Sequence, residues 1–115
     1  AAITKKEAKS LVEGHLLNEK EFWTPCPIPT VAISEKKFSA KGYWRGPMWV
    51  CINWTVYRGL LRYGFKSVAD ELLQKTLAAI KKSGFREYYN PLTGEGLGTK
   101  QFSMDALAMD MILQK

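Results

Sequence analysis

The chain has 115 residues, a mass of 13.1 kDa and a net charge of +6 from 17 basic and 11 acidic residues, which allows at most one domain with an adequate core. An apolar content of 46% excludes a disordered chain. Apolar stretches are broken by Arg, Lys or Asn well short of the ~20 residues of a membrane helix, and no signal-peptide pattern opens the chain, so the expectation is a soluble, cytoplasmic protein without a membrane partner.

Lys5, Lys6, Lys9, Lys66, Lys75, Lys81 and Lys82 are scattered over predicted helix surfaces, the pattern of a solvated face and not of a nucleic-acid footprint. The two cysteines, Cys26 and Cys51, are too few for a disulfide framework or a zinc site and read as reduced thiols. No metal and no cofactor is expected.

In chain order, four helices are predicted, near 4–18, 47–63, 67–82 and 103–114. Thr4-x-x-Glu7 has capping-box spacing, and Ala8, Leu11, Val12, His15 and Leu16 then share a face. His15, the only histidine, reads as a packed helix residue without an acidic partner. The alternating prolines of Pro25-Cys26-Pro27-Ile28-Pro29 forbid a helix and set an extended strap. Gly46-Pro47 opens the second helix, whose apolar residues from Met48 to Leu61 lie all round and predict burial on every side. Ser67-x-x-Asp70 opens a third helix with a narrow stripe of Val68, Leu72, Leu73, Leu77 and Ile80, ended by Gly84. The fourth carries Met104, Leu107, Ala108, Met111 and Ile112, a stripe that reads as core. No strand pair stands out. A buried helix next to a one-sided one is what a double ring of helices requires.

Two loops carry chemistry. In Gly84-Phe85-Arg86-Glu87-Tyr88-Tyr89-Asn90-Pro91-Leu92-Thr93-Gly94-Glu95-Gly96-Leu97-Gly98, a carboxylate stands between a helix and a glycine turn among aromatics. Locally, Glu87 is either a surface residue pairing with a cation or a carboxylate in a sugar site. Glu95, between two glycines, reads as a turn residue. Tyr43, Trp44 and Arg45 suit a subsite wall, because apolar sugar faces stack on aromatic rings and Arg offers a fork of donors to hydroxyls or a carboxylate. Trp49 lies about one helical turn farther along, and Trp54 reads as core.

The run Gly42-Tyr43-Trp44-Arg45-Gly46-Pro47-Met48-Trp49, then Ile52-Asn53-Trp54 and Tyr57-Arg58-Gly59-Leu60, resembles the C-terminal part of the (α/α)6 barrel of glycoside hydrolase family 63. The later run from Ser83 to Gly98, followed by Phe102-Ser103, is similar to that family's final motif, and Ile28-Pro29-Thr30-Val31 ahead of Phe38 keeps the family order. The resemblance implies an all-α fold, the C-terminal portion of an (α/α)6 toroid with about four helices, with residues 1–115 forming part of a larger catalytic domain. It implies an inverting hydrolase of α-linked glucosides or related small glycosides, with the remaining barrel and a carbohydrate as partners. Glu87 matches the family's general base, with Tyr43, Trp44, Arg45, Trp49 and Tyr88 in the substrate subsite. Two departures stand out: Met104 replaces the usual tryptophan after Phe-Ser, and the segment bearing the family's acid is absent. Asp70, Asp105 and Asp110 lie on the wrong helices to replace that acid, so the chain alone is expected to be inactive. The alternative is a non-catalytic helical carbohydrate-binding or scaffold protein derived from such a barrel.

Overall fold

The structure, a computed structural model, describes residues 2–114. Helix α1 (Lys5–Leu11) starts as the sequence predicts: Glu7 N–H donates to Thr4 Oγ1 at 3.1 Å and Thr4 N–H to Glu7 Oε2 at 2.7 Å. The α form ends earlier than expected and widens to a π turn over Val12–Leu16, closed by Leu17 N–H on the Val12 carbonyl. Gly14 within it weakens the α form by about 1 kcal/mol relative to alanine. His15 corrects the expectation of a packed residue, since it is exposed and its Nδ1 lies 2.9 Å from Glu21 Oε1. Sequence spacing could not find this partner because the chain folds back at Asn18, whose carbonyl accepts three successive amides, from Glu21, Phe22 and Trp23.

The proline strap is fastened from below by one side chain. Asn53 is fully buried; its Oδ1 accepts Ile28 N–H at 3.0 Å, and its Nδ2 donates to the Pro27 carbonyl at 2.8 Å and to Thr76 Oγ1 at 2.9 Å. A chain without regular pairing must satisfy its buried amides somehow, and this asparagine serves both the strap and the interface between two helices.

Helix α2 (Val50–Arg62) begins three residues later than Pro47 predicts. Met48 is taken up in an extended ladder, where it exchanges both backbone hydrogen bonds with Tyr89 at 2.9 Å and bridges Pro29 on its other side. The helix buries Val50, Asn53, Tyr57 and Leu60, while Ile52, Thr55, Arg58 and Gly59 are more open to solvent, so within this chain its burial is one-sided. Helix α3 (Lys66–Ser83) is one-sided as predicted, but the buried face is Ala69, Leu72, Leu73, Thr76 and Ala79, with Val68, Leu77 and Ile80 of the predicted stripe only partly buried; Phe65 precedes its first turn, and Ser67 supplies no side-chain cap. Gly84 ends it at φ 76, a region that strains any side chain.

The fold departs from the all-α expectation after α3. Strands β1 (Arg86–Tyr89) and β2 (Gly96–Lys100) form an antiparallel hairpin. With four and five residues and glycines in place of alternating apolar residues, the pair carries little strand patterning. Its turn is tied to the end of α3: Ser83 Oγ donates to the Gly94 carbonyl and accepts Gly96 N–H, both at 3.0 Å. A 3-10 turn (Ser103–Ala106) then leads into α4 (Leu107–Leu113). Among the described residues the structure is therefore four α-helices with a small two-stranded sheet.

Two clusters make the core. Val12, Ile28, Tyr57, Leu60, Leu72, Leu73 and Met111 fill the space between the helices. Cys26, Met48, Val50, Ala79, Tyr89 and Ala108 form a second cluster at the ladder joining strap, helix entrance and hairpin. Beside the first, an apolar groove of about 350 Å³ remains open, lined among others by Leu11, Val12, Val56, Leu60 and Phe65. No described helix is long and apolar enough to cross a membrane.

Candidate active site

The loop before α2 is shaped by short-range backbone bonds and by one glycine. Ser39 N–H donates to the Arg45 carbonyl at 2.8 Å and Arg45 N–H to the Gly42 carbonyl at 2.9 Å. At Gly46, a Cβ would collide with the Ser39 carbonyl and the Phe38 ring, so only glycine permits this approach. The path holds Tyr43 at φ 58, where a non-glycine residue costs about 1–2 kcal/mol. Its carbonyl accepts Trp49 Nε1–H at 3.0 Å, so the indole that begins α2 also fixes this strained residue.

The rings form one cluster. Trp44 and Trp49 stack with centroids 3.8 Å apart and planes 10° from parallel, and Trp49 and Tyr88 stack at 5.2 Å and 21°. Tyr43 stands edge-on to Trp44, Trp49 and Tyr88, and Phe102 meets Trp49 edge-on at 6.4 Å. The edge-on contacts suit aromatic quadrupoles. Trp49 is only 4% exposed and backs the wall, whereas Tyr43 and Trp44 are 46% and 47% exposed. Arg45 is exposed in the same loop and its side chain has no hydrogen-bond or ion-pair partner among the described residues.

Glu87 reaches this wall from the hairpin. The ladder pairs Arg86 with Lys100 and Tyr88 with Leu97, so Gly98 and Thr99 both oppose Glu87 in a bulge. Gly98, at φ 69, supplies the left-handed turn that a bulge of this kind needs. Thr99 N–H donates to Glu87 Oε1 at 3.1 Å, and Tyr43 Oη–H lies 3.4 Å from Oε2. A carboxylate with one oxygen on an amide and the other on a phenol is held in orientation. Desolvation first, then the Glu87 carboxylate, pushes the Tyr43 phenol above its ordinary range, so it remains a donor.

Glu87 thus meets Tyr43, and Tyr43 meets the rings of Trp44, Trp49 and Tyr88. Arg86 does not join them: its Nη2 donates to the Gly98 carbonyl at 3.1 Å, as alternation along a strand requires. Glu95 stays in the turn, 3.6 Å from Lys41. Asp110 accepts Trp54 Nε1–H at 2.7 Å and Asp105 is buried on Tyr89. Met104 is 48% exposed. Gly98, Thr99 and Phe102 do not stand out as site residues in the sequence. The spacing Gly96-x-Gly98 is the available sign of a bulge, while the Thr99 amide carries none.

The fold and rim define a helical domain with a fixed carboxylate beneath an aromatic wall. The family model for the mannosylglycerate hydrolase MGH1-like glycoside hydrolase domain matches residues 2–104. The mannosylglycerate hydrolase of Thermus thermophilus is 44% identical over 79 residues, covering 69% of this chain and 19% of that protein. The glucosylglycerate hydrolase of Mycolicibacterium hassiacum is 37% identical over 82 residues, covering 71% and 18%. The solved structure of a GH63 mannosylglycerate hydrolase from Thermus thermophilus in complex with glucose superposes with a TM-score of 0.86 at 33% identity, over 98% of this chain and 28% of that one. The chain spans under a fifth of the length of these two curated relatives. It belongs to the MGH1-like glycoside hydrolase family, in agreement with the resemblance read from its motifs.

Proposed function

We propose that this chain forms the C-terminal portion of an (α/α)6 barrel in an inverting glycoside hydrolase, where Glu87 is the general base. The carrying observation is the two-point hold on Glu87, by the Thr99 amide and the Tyr43 phenol, under the stacked rings. In an inverting reaction a carboxylate deprotonates a water on the sugar face opposite the leaving group, while a protonated acid releases the glycosidic oxygen. Glu87 fits the first role because its two donors fix the direction in which it can accept a proton. Trp44 and Tyr43 present exposed ring surface for the apolar sugar face, and Tyr88 and Trp49 support them. The acid comes from the remaining barrel, which also covers the exposed side of α2.

The named activities of the relatives suggest a glycoside of glycerate, mannosyl or glucosyl, as substrate. The unpaired Arg45 guanidinium, on a chain of charge +6, suits the carboxylate of such an anionic aglycone. The non-catalytic alternative is less favoured, because a scaffold does not need a carboxylate so restrained. The test is turnover of mannosylglycerate and glucosylglycerate by the protein carrying this chain within its whole barrel, and by its Glu87→Gln variant. Glu87→Gln is expected to lower kcat by about 10²–10⁴-fold with substrate binding largely retained. Near-normal turnover would move the base elsewhere, with Glu95 the next residue to replace. The 115-residue chain alone is expected to hydrolyse neither substrate, since it lacks the acid and most of the subsite wall.

A further inference from the structure

Beneath the strand that carries Glu87 lies a buried polar cluster in which the hydrogens do not balance unless Asp105 bears one. Tyr89 Oη lies 2.6 Å from the Gly84 carbonyl oxygen, 2.7 Å from Asp105 Oδ2 and 3.1 Å from the Arg86 amide nitrogen. The amide can only donate. A phenol has one proton and cannot give it to two oxygens at once. With Asp105 ionised, one of the two short oxygen–oxygen contacts would lack a hydrogen, and a charge would be buried without a cationic partner. With Asp105 protonated, the count closes: Asp105 Oδ2–H donates to Tyr89 Oη, Tyr89 Oη–H to the Gly84 carbonyl, and Arg86 N–H to Tyr89 Oη.

We propose that Asp105 is a positioning residue for Glu87, acting as a neutral carboxyl that donates to Tyr89 and thereby fixes the backbone from Gly84 to Arg86 at the entrance of β1. This rests on Glu87 being the base. Asp105 is 1% exposed and forms no ion pair among the described residues. Burial pushes its carboxyl up to about 6, against the lowering effect of the Tyr89 and Arg86 hydrogen bonds. Arg86, whose amide enters the cluster, turns its guanidinium to the Gly98 carbonyl, and the neighbouring phenol and thiols are neutral. Burial holds the Tyr89 phenol protonated and, from the α2 side, raises the Cys51 thiol, with Asp105 adding to the rise. Cys26, which faces Tyr89 from the strap, is pushed up to about 12, burial outweighing Lys82 and Lys75 of α3. Ionising Asp105 therefore disturbs the residue immediately preceding Glu87.

The test joins a spectroscopic readout to kinetics in the protein carrying this chain. Infrared difference spectra with labelled aspartate, wild type against Asp105→Asn, are expected to contain a neutral-carboxyl band that persists up to about pH 6. In the wild type kcat should decline as pH rises through that value, with KM little affected. Asp105→Asn, whose amide can still donate to Tyr89, should keep kcat at low pH within about threefold and lose the decline. Asp105→Ala should lower kcat roughly 10–100-fold. If the band vanishes already in the ordinary aspartate range, or the Asn variant keeps the wild-type decline, the proposal is overturned, even if the Ala variant does not fold. A fully active Glu87→Gln protein overturns the base assignment and the positioning role with it, whereas the infrared band alone decides where the proton sits.

Discussion

Gly98→Ala tests whether the bulge exists to aim Glu87. A Cβ built on Gly98 lies 2.7 Å from Glu87 Oε1, 2.7 Å from Tyr88 Cε1 and 2.8 Å from Glu87 Cβ, where ordinary contact begins near 3.4 Å. Clearing the new methyl group moves the carboxylate or the strand by roughly 0.7 Å, a displacement of the size that costs up to about 100-fold when it misplaces a catalytic group. The Tyr43 hydrogen bond, already 3.4 Å long, breaks first. Added to this is the left-handed backbone at φ 69, which alanine adopts at a cost of about 1–2 kcal/mol. Steady-state kinetics on mannosylglycerate and glucosylglycerate should show kcat lowered about 10–100-fold with KM changed much less. Urea denaturation should show a loss of about 1–3 kcal/mol, with circular dichroism reporting an intact fold. A folded Gly98→Ala protein with wild-type kcat would show that the geometry around Glu87 does not govern turnover.

Three further outcomes concern other parts of the molecule. Asn53→Leu removes the partners of two buried backbone groups at Ile28 and Pro27 and should cost about 3–5 kcal/mol in urea denaturation; a loss below about 1 kcal/mol would contradict the role given to this side chain. Because Asp105 binds its proton more tightly in the folded chain, its stabilisation is present below its ordinary value of 3.8 and is lost as pH rises through about 6. Thermal melts of wild type should fall across that window relative to Asp105→Asn, and parallel curves would contradict the shift. Trp44→Ala, at an exposed wall position, should raise KM about fivefold, corresponding to ~1 kcal/mol of lost ring contact, with kcat nearly unchanged; an unchanged KM would place the sugar elsewhere.

The helices are legible in the sequence where local chemistry decides them. The Thr4 capping box and the apolar stripe of α3 depend on residues three or four apart, and both are present. The late beginning of α2 arises from long-range pairing. Pro47 satisfies every local rule for a first helical residue, yet Met48 is drawn into a ladder with Pro29 and Tyr89, which lie 19 and 41 positions away. The hairpin escapes a sequence reading for a related reason, since its strands are specified by bridges and a bulge and not by alternating side chains. Within the site, Glu87 and the aromatic residues are visible because their chemistry resides in side chains. Thr99 is not, because it acts through an amide that every residue but proline possesses. Asp105 reads only as an aspartate on the wrong helix, since its relation to Tyr89 spans 16 positions.

The ladder through Met48 also bears on how such a site can diversify. The wall residues Tyr43, Trp44 and Trp49 come from the segment around Met48, and Glu87 and Tyr88 from the strand it pairs with. Two peptide hydrogen bonds between Met48 and Tyr89 set the spacing of those halves. Peptide groups are unchanged by most substitutions, so exposed wall side chains can be exchanged while the carboxylate keeps its distance from the rim. If the proposed site is right, substitutions at exposed positions such as Trp44 and Arg45 would alter the sugar accepted and leave the placement of Glu87 unchanged.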